Sequence, residues 1–138
     1  MRTSIVLDAS AAVRLIVGPS PAGIATGLAV ADEVFAPRLF TEEVANTLWK
    51  YVQAGVFDSK EAINRLRTAL ALCDHFLDLN PHSSDSLLIE ALTEACRLNH
   101  PVYDLIYLVA ARRTGATLAT CDQRLATMAN SQGIEVLS

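Results

Sequence analysis

The sequence contains little of what marks several common protein classes. Only 6% of its 138 residues are aromatic although 51% are hydrophobic, so alanine, leucine and valine must fill the core. This composition excludes intrinsic disorder as the main state, and it favours helices packed on a sheet over a small all-β barrel. No apolar run reaches the roughly 20 residues that a membrane-spanning helix needs, so we expect no membrane segment.

Cysteines with the spacing of metal ligands are also missing. The chain has three widely separated cysteines without a C-x-x-C motif, namely Cys73, Cys96 and Cys121. We interpret them as reduced thiols, and we therefore expect a cytoplasmic protein with neither a disulfide nor a zinc site. Asp8 and Arg14 interrupt the apolar residues near the start of the chain, so a secretory signal peptide is not expected either.

Strong positive charge and phosphate-binding loops are absent as well. The net charge is −4, and no stripe of basic residues stands out, which argues against tight nucleic-acid binding by charge alone. It does not exclude an enzyme that contacts nucleic acid locally. Neither a Walker-type loop nor a G-x-G-x-x-G motif is found, so nucleoside triphosphate binding is not expected. Ser10 lacks the surroundings of a nucleophile elbow.

The chain does contain a regular alternation of apolar strands and amphipathic helices. The predicted strands are 4–7, 33–36, 76–79, 117–120 and 134–137. The predicted helices are 9–17, 22–31, 38–54, one capped by Asp58 or Ser59, 83–98, 103–114 and 122–128. Such alternation indicates parallel βαβ crossovers. We therefore expect one α/β domain over residues 1–138, a three-layer α/β/α sandwich with a central, mostly parallel sheet.

Four acidic residues stand where acids are unusual. Asp8 and Asp122 follow predicted strands, Asp104 lies in the most apolar window, and Glu43 lies beside the apolar stripe of its helix. Each has an ordinary explanation as a helix cap, a first-turn acid or a solvated edge residue. As a set they are expected to meet, because ligands of parallel α/β sheets bind at the carboxyl ends of the strands.

Carboxylates that share one pocket repel each other unless a cation or a proton relieves the repulsion. Mg²⁺ and Mn²⁺ prefer oxygen ligands and keep several waters, so a site for one of these ions is predicted. Such an ion suits phosphoryl chemistry because it orients a water and lowers the pKa of that water. The three histidines share no ligand spacing with the acids, and we interpret them as surface or loop residues: His75, His82 and His100.

Four segments resemble, in order and spacing, the motifs of the PIN-domain nucleases, and together they cover nearly the whole chain. They are Val6-Leu7-Asp8-Ala9-Ser10, Ala36-Pro37-Arg38-Leu39 with Glu43-Val44-Ala45-Asn46-Thr47-Leu48, Tyr103-Asp104-Leu105-Ile106-Tyr107-Leu108-Val109-Ala110, and Thr120-Cys121-Asp122-Gln123-Arg124-Leu125. The length and the lack of an extra domain are most similar to the VapC-type toxins of prokaryotic toxin–antitoxin pairs.

The resemblance implies a sheet sandwiched by helices and RNA cleavage that depends on Mg²⁺ or Mn²⁺. Asp8, Asp104 and Asp122 would match the metal-binding acids, and Glu43 the remaining acid, which would position or activate the attacking water. The resemblance also implies a homodimer and a small antitoxin that blocks the site. Three family positions near the site, where side chains would orient carboxylates or water, are matched by Ser10, Asn46 and Thr120.

The sequence departs from the family just after Asp122. Some members carry another acid there, whereas this chain has Leu125 and Ala126. A second metal position is therefore left open. Three arginines are candidates for contact with RNA phosphates or with the antitoxin, although plain surface solvation explains each of them too: Arg14, Arg38 and Arg124.

Two other functions remain open at this point. One is a PIN-like module without catalytic activity that binds a partner protein. The other is a metal-dependent phosphatase that acts on small phosphoesters. The haloacid-dehalogenase pattern of such phosphatases has a second aspartate two residues after the first, where this chain has Ser10.

Overall fold

The structure is a computed structural model that describes residues 2–138. Strands and helices alternate through most of the described chain. The strands are β1 (Ser4–Leu7), β2 (Glu33–Pro37), β3 (His75–Leu77), β4 (Thr117–Ala119) and β5 (Val136–Leu137). The helices are α1 (Ala9–Val17), α2 (Ala22–Val30), α3 (Leu39–Gln53), α4 (Ser59–Ala71), α5 (Leu87–Leu98), α6 (Val102–Thr114) and α7 (Gln123–Ser131).

All five strands form one parallel sheet in the order β3-β2-β1-β4-β5. The apolar strand β1 is therefore central, with Val6 paired to Phe35 on one side and to Leu118 on the other. A continuous apolar run is what a parallel strand needs, because helices cover both of its faces. The predicted α/β class is confirmed, and the sheet is wholly parallel.

Alternate residues of β1 enter two separate cores, which makes the fold three-layered. Ile5 and Leu7 pack with residues of α1, α2, α3 and α4, whereas Val6 packs with α5, α6 and α7. Ile5 is 1% exposed, and Val6 and Leu7 are fully buried. Burying each such side chain stabilises the fold by about 1.5–3 kcal/mol. The predicted α/β/α sandwich is thereby confirmed.

Some predicted element boundaries were wrong by several residues. Helix α5 begins at Leu87 and not at 83, because Ser86 is its N-cap: its hydroxyl accepts a hydrogen bond from the backbone N–H of Ile89 at 3.2 Å. Strand β3 begins at His75 and ends at Leu77, where its pairing with β2 ends. Helix α7 continues to Ser131 rather than 128, and Asp58 caps α4 as predicted.

Among the described residues, no single helix combines the length and apolar character needed to cross a membrane. The pair α1 and α2 passes that test only when the two are taken together, and they are bent by 102° at the break between them.

The register of the central strands determines where the site lies. Leu7 pairs with Ala119, so the residues that follow β1 and β4 emerge side by side at the same edge of the sheet. The backbone N–H of Asp8 donates to the carbonyl of Ala119 at 3.0 Å, which holds the two strand ends together.

Candidate active site

A cavity of about 360 Å³ opens at the carboxyl ends of β1 and β4. All four acids that the sequence indicated lie in its wall: Asp8, Glu43, Asp104 and Asp122. They come from four separate elements of the chain, and the parallel topology brings them to one edge, as expected.

Asp8 is the most buried of these acids, with 4% of its surface exposed. Its carboxylate caps α1 by accepting from the backbone N–H of Ala11 at 2.9 Å, and it also accepts from the hydroxyls of Ser10 at 2.8 Å and Thr120 at 2.5 Å. Burial raises the pKa of Asp8 to about 6, even though these three hydrogen bonds lower it. The nearby charge of Asp122 raises that pKa further.

Two hydroxyl groups connect the ends of the two central strands. Thr120 is fully buried, and its hydroxyl donates to Asp8 and accepts from the backbone N–H of Asp122 at 2.9 Å. The Ser10 hydroxyl donates to Asp8 and accepts from the backbone N–H of Cys121 at 3.0 Å. Both residues are thus in contact with a site carboxylate, where the sequence placed them.

Asp122 fits the ordinary explanation and the functional one together. One of its carboxylate oxygens accepts from the backbone N–H groups of Arg124 at 2.9 Å and Leu125 at 3.2 Å, so it caps α7. Capping uses Oδ1 and leaves the other oxygen of Asp122 without a hydrogen bond from the described residues. Being a cap therefore does not remove this carboxylate from the cavity.

Glu43 is anchored by a tyrosine that the sequence reasoning missed. The Tyr107 hydroxyl donates to Oε1 of Glu43 at 2.6 Å, and Tyr107 itself is 3% exposed. Partial burial raises the pKa of Glu43, the hydrogen bond from Tyr107 lowers it, and the charge of Asp104 raises it. The available signal was spacing, because Tyr107 stands three residues after Asp104 on α6 and so shares its side of the helix.

Asp104 lies in the first turn of α6 without capping it. Partial burial and the charge of Asp122 raise its pKa, whereas His100 and Arg124 lower it. His100 lies in the loop between α5 and α6, as the sequence indicated, and the structure adds a contact with Asp104. The His100 side chain is only 13% exposed, and Nε2 lies 3.6 Å from Oδ2 of Asp104.

A family model described as PIN domain matches residues 5–131. The chain belongs to that family. Over 123 residues, this PIN domain is 34% identical to a protein named Ribonuclease VapC3 from Pyrobaculum aerophilum, a match that covers 88% of the chain and 92% of the relative. The family resemblance drawn from the four motifs is therefore confirmed.

Solved structures share the fold over most of its length. The crystal structure of PAE2754 from Pyrobaculum aerophilum matches with a TM-score of 0.72 and 25% identity, and the match covers 97% of this PIN domain and 83% of that chain. A chain in a toxin–antitoxin complex from Klebsiella pneumoniae matches with a TM-score of 0.64 and 16% identity, covering 88% and 89% of the two chains.

Of the four remaining predicted site residues, two lie in or near the cavity and two lie away from it. Arg14 lies in the cavity wall of this PIN domain together with the acids. Arg124 is exposed at the start of α7, near enough to Asp104 to lower the pKa of that acid. Arg38 is exposed just before α3, and Asn46 is exposed on α3. Neither residue belongs to the cavity wall. Thr47, the neighbour of Asn46, lines the cavity instead.

The donor chemistry of the site fits a hard dication. Among residues 2–138, no three acidic, histidine or cysteine side chains already stand as a preformed metal cluster. Mg²⁺ does not require one, because it usually binds through one or two carboxylates and keeps several waters. At roughly 30 Å³ for each water, the cavity has room for an ion with its hydration shell.

Proposed function

We propose that this PIN domain is a ribonuclease that cleaves RNA phosphodiester bonds with a water activated by Mg²⁺ or Mn²⁺. We further propose that it is the toxin of a toxin–antitoxin pair. The observation that carries the proposal is the set of four carboxylates in one cavity. None of them forms an ion pair with lysine or arginine among the described residues. Three have a raised pKa: Asp8, Glu43 and Asp104.

Uncompensated carboxylates of this kind favour a dication. Burial makes the negative charges of Asp8, Glu43 and Asp104 unfavourable, and neighbouring acids raise the pKa of each of these three further. A bound ion supplies positive charge that lowers the pKa of a water and offsets the charge that builds on the phosphate during cleavage. In this proposal Asp8 and Asp104 hold the ion, with Asp122 assisting, since these acids surround the cavity at the strand ends.

Glu43 is the residue that positions or activates the water. Tyr107 donates to Oε1 of Glu43 and so restrains the carboxylate, while Oε2 accepts no hydrogen bond from the described residues. That free oxygen can accept a proton from a water in the cavity. The raised pKa of Glu43 improves its match to a proton-transfer role near neutral pH.

The arginines support a substrate that carries phosphates. Five arginines of the described chain are held by ion pairs with acids away from the cavity: Arg2, Arg65, Arg97, Arg112 and Arg113. Four arginines form no ion pair within the described chain, namely Arg67 and the three that the sequence indicated as RNA contacts: Arg14, Arg38 and Arg124. Their guanidinium groups are therefore available to phosphate oxygens, and Arg14 is the one beside the acids.

The partners belong to the same proposal. The ribonuclease name of the VapC relative and the fold shared with a chain of a toxin–antitoxin complex support an antitoxin that blocks the site. We also propose that the protein forms a homodimer and acts in the cytoplasm. Two of the exposed large apolar side chains, Trp49 at 55% and Ile63 at 50%, line one apolar cavity between α3 and α4, and a contiguous patch of this kind is typical of surfaces that contact other proteins.

The decisive experiment compares two aspartates that both cap helices. Wild type, Asp8→Asn and Asp58→Asn are incubated with single-stranded RNA in Mn²⁺, in Mg²⁺ and in a chelator. Asp58 caps α4 outside the cavity, and asparagine is an equally good cap, so its variant controls for folding. We expect Asp8→Asn to lose at least about a hundredfold in rate, with Asp58→Asn unchanged and no cleavage in the chelator.

Other outcomes would favour the alternatives. Equal cleavage rates for wild type and Asp8→Asn would refute the mechanism. Hydrolysis of a generic phosphomonoester without RNA cleavage would favour a phosphatase. No heat of Mn²⁺ binding in titration calorimetry would favour a binding module without catalytic activity.

A further inference from the structure

We propose that His100 is a positioning residue for Asp104, and that its ring restrains the Asp104 carboxylate for uptake of the dication. The inference rests on the proposed function, because it concerns how this chain prepares one of the acids for the ion. It assigns a role to a residue that lies outside the four acidic motifs.

The backbone around His100 is fixed by the turn between α5 and α6. Asn99 ends α5 in the left-handed region, with φ of 52°, which asparagine tolerates better than most residues. The backbone N–H of His100 donates to the carbonyl of Ala95 at 3.0 Å, and Pro101 restricts the next dihedral before α6 begins at Val102. His100 therefore stands four residues before Asp104, at a spacing that brings the two side chains together.

The His100 ring has an unmet need for a partner. Its Nε2 is buried without a hydrogen bond from the described residues, and it lies 3.6 Å from Oδ2 of Asp104, just beyond hydrogen-bond range. Nδ1 lies 3.3 Å from the carbonyl oxygen of Pro101, and since a neutral ring has a single N–H, the tautomer protonated on Nε2 is the one that donates to Asp104. A buried polar atom without a partner is unfavourable, because it has lost its hydrogen bonds to water. Hydrogen bonds between active-site groups are often long in the free enzyme and shorten when substrate binds.

The Asp104 carboxylate likewise lacks a hydrogen-bond donor among the described residues. Asp8 accepts hydrogen bonds from three residues, Asp122 accepts from two backbone N–H groups, and Glu43 accepts from Tyr107. Asp104 accepts none from residues 2–138, and its one ionic contact within them is with His100. Of the four carboxylates it is therefore the one whose orientation depends on this ring. Partners that orient metal-binding side chains are usually worth a factor of roughly 10–100 in metal affinity.

The test measures Mn²⁺ affinity by titration calorimetry for wild type, His100→Leu and His100→Gln. Leucine fills similar space but cannot donate, whereas the glutamine amide offers an N–H. The matched control is His75→Leu, because Nε2 of His75 lies at the same 3.6 Å from Oε1 of Glu33 but at the opposite edge of the sheet. Thermal unfolding in a chelator reports folding for every variant.

We expect His100→Leu to raise the Kd for Mn²⁺ by roughly 10- to 100-fold. His100→Gln should recover most of the lost affinity. His75→Leu should bind as wild type does. If wild type binds Mn²⁺ and His100→Leu binds it equally well, the role of His100 is refuted and the proposed function stands. If glutamine is as weak as leucine, the ring merely packs there, and the proposal is also refuted. If wild type itself binds no Mn²⁺, the metal-dependent function fails and this inference with it.

Discussion

Two groups of acids in this PIN domain have opposite surroundings. On α5, Glu94 lies 2.5 Å from Arg97 and 3.7 Å from Arg112, and Glu90 lies 2.9 Å from Arg113. The hydrogen bond from Arg97 lowers the pKa of Glu94. At the carboxyl edge of the sheet no arginine or lysine of the described chain pairs with an acid, and the pKa values of Asp8, Glu43 and Asp104 are raised.

The contrast separates acids that are paired on the surface from the cavity acids to which we assign the proposed chemistry. Exposed ion pairs on a helix add at most about 1 kcal/mol each, and they leave nothing for a ligand to compensate. Buried carboxylates without cations oppose folding when they are ionised. A protein retains such an arrangement where a bound cation uses it, which is why unpaired acids with raised pKa values point to a functional site.

The largest expected effect comes from removing one acid of each group, which tests the contrast between the cavity and α5. Asp104→Asn and Glu94→Gln each remove one carboxylate charge, one from the cavity and one from α5. We expect Asp104→Asn to reduce single-turnover RNA cleavage in Mn²⁺ by at least about a hundredfold. Glu94→Gln should cleave within a factor of two of wild type, because its partners are arginines far from the cavity. Comparable losses in the two variants would contradict the distinction.

The second prediction concerns stability and pH in a chelator. Because the folded pKa of Asp8 is about 6, above the ordinary 3.8, the folded state holds a proton there that the unfolded state has lost. The free energy of unfolding should therefore fall as pH rises from about 4 to about 6, by about 3 kcal/mol from this group. Asp8→Asn should remove this fall and be more stable than wild type at pH 7. Urea denaturation across the pH range measures both, and an unaltered pH slope in Asp8→Asn would refute the assignment.

A smaller effect is expected from the hydrogen bond that anchors Glu43. Tyr107→Phe removes the hydroxyl and leaves the ring, so Glu43 loses its one restraint from the described residues. We expect RNA cleavage to fall about tenfold and the free energy of unfolding to fall by about 1 kcal/mol. Tyr103→Phe is the matched control, because Tyr103 is 60% exposed on the same helix and its hydroxyl has no partner within the described chain. Full activity in Tyr107→Phe would show that the hydrogen bond from Tyr107 to Glu43 is not needed for cleavage.

The smallest expected effect is on substrate binding through Arg14. Arg14→Ala should raise the KM for RNA severalfold with kcat little changed, and it should reduce the salt slope of binding by about 0.7, as expected for one contact with a single strand. Arg67→Ala is the control, since Arg67 is exposed, forms no ion pair with residues 2–138 and lies outside the cavity wall. Identical salt slopes for the two variants would show that Arg14 does not contact the RNA backbone.

The sequence predicted the placement of two cavity acids, because local rules apply to both. Asp8 and Asp122 follow central strands, so their place at one edge is a consequence of parallel topology, and their capping of α1 and α7 follows from residue type. Ser10 and Thr120 came from the family motifs. The contacts of Tyr107 and His100 were not predicted. Tyr107 lies in an apolar segment that indicates only a buried helix, and the sequence of a turn does not indicate which way the His100 ring points.

The sequence by itself determined the class of fold, the order of its elements and the identity of the four acids in the cavity, because hydrophobic periodicity and residue type act locally. The tertiary structure alone decided which strand ends are neighbours, how deeply Asp8 is buried, and that Asp104 faces His100 instead of a backbone donor. Burial and pairing arise between segments that are distant along the chain, and they shift the pKa of each acid only once the fold has brought those segments together.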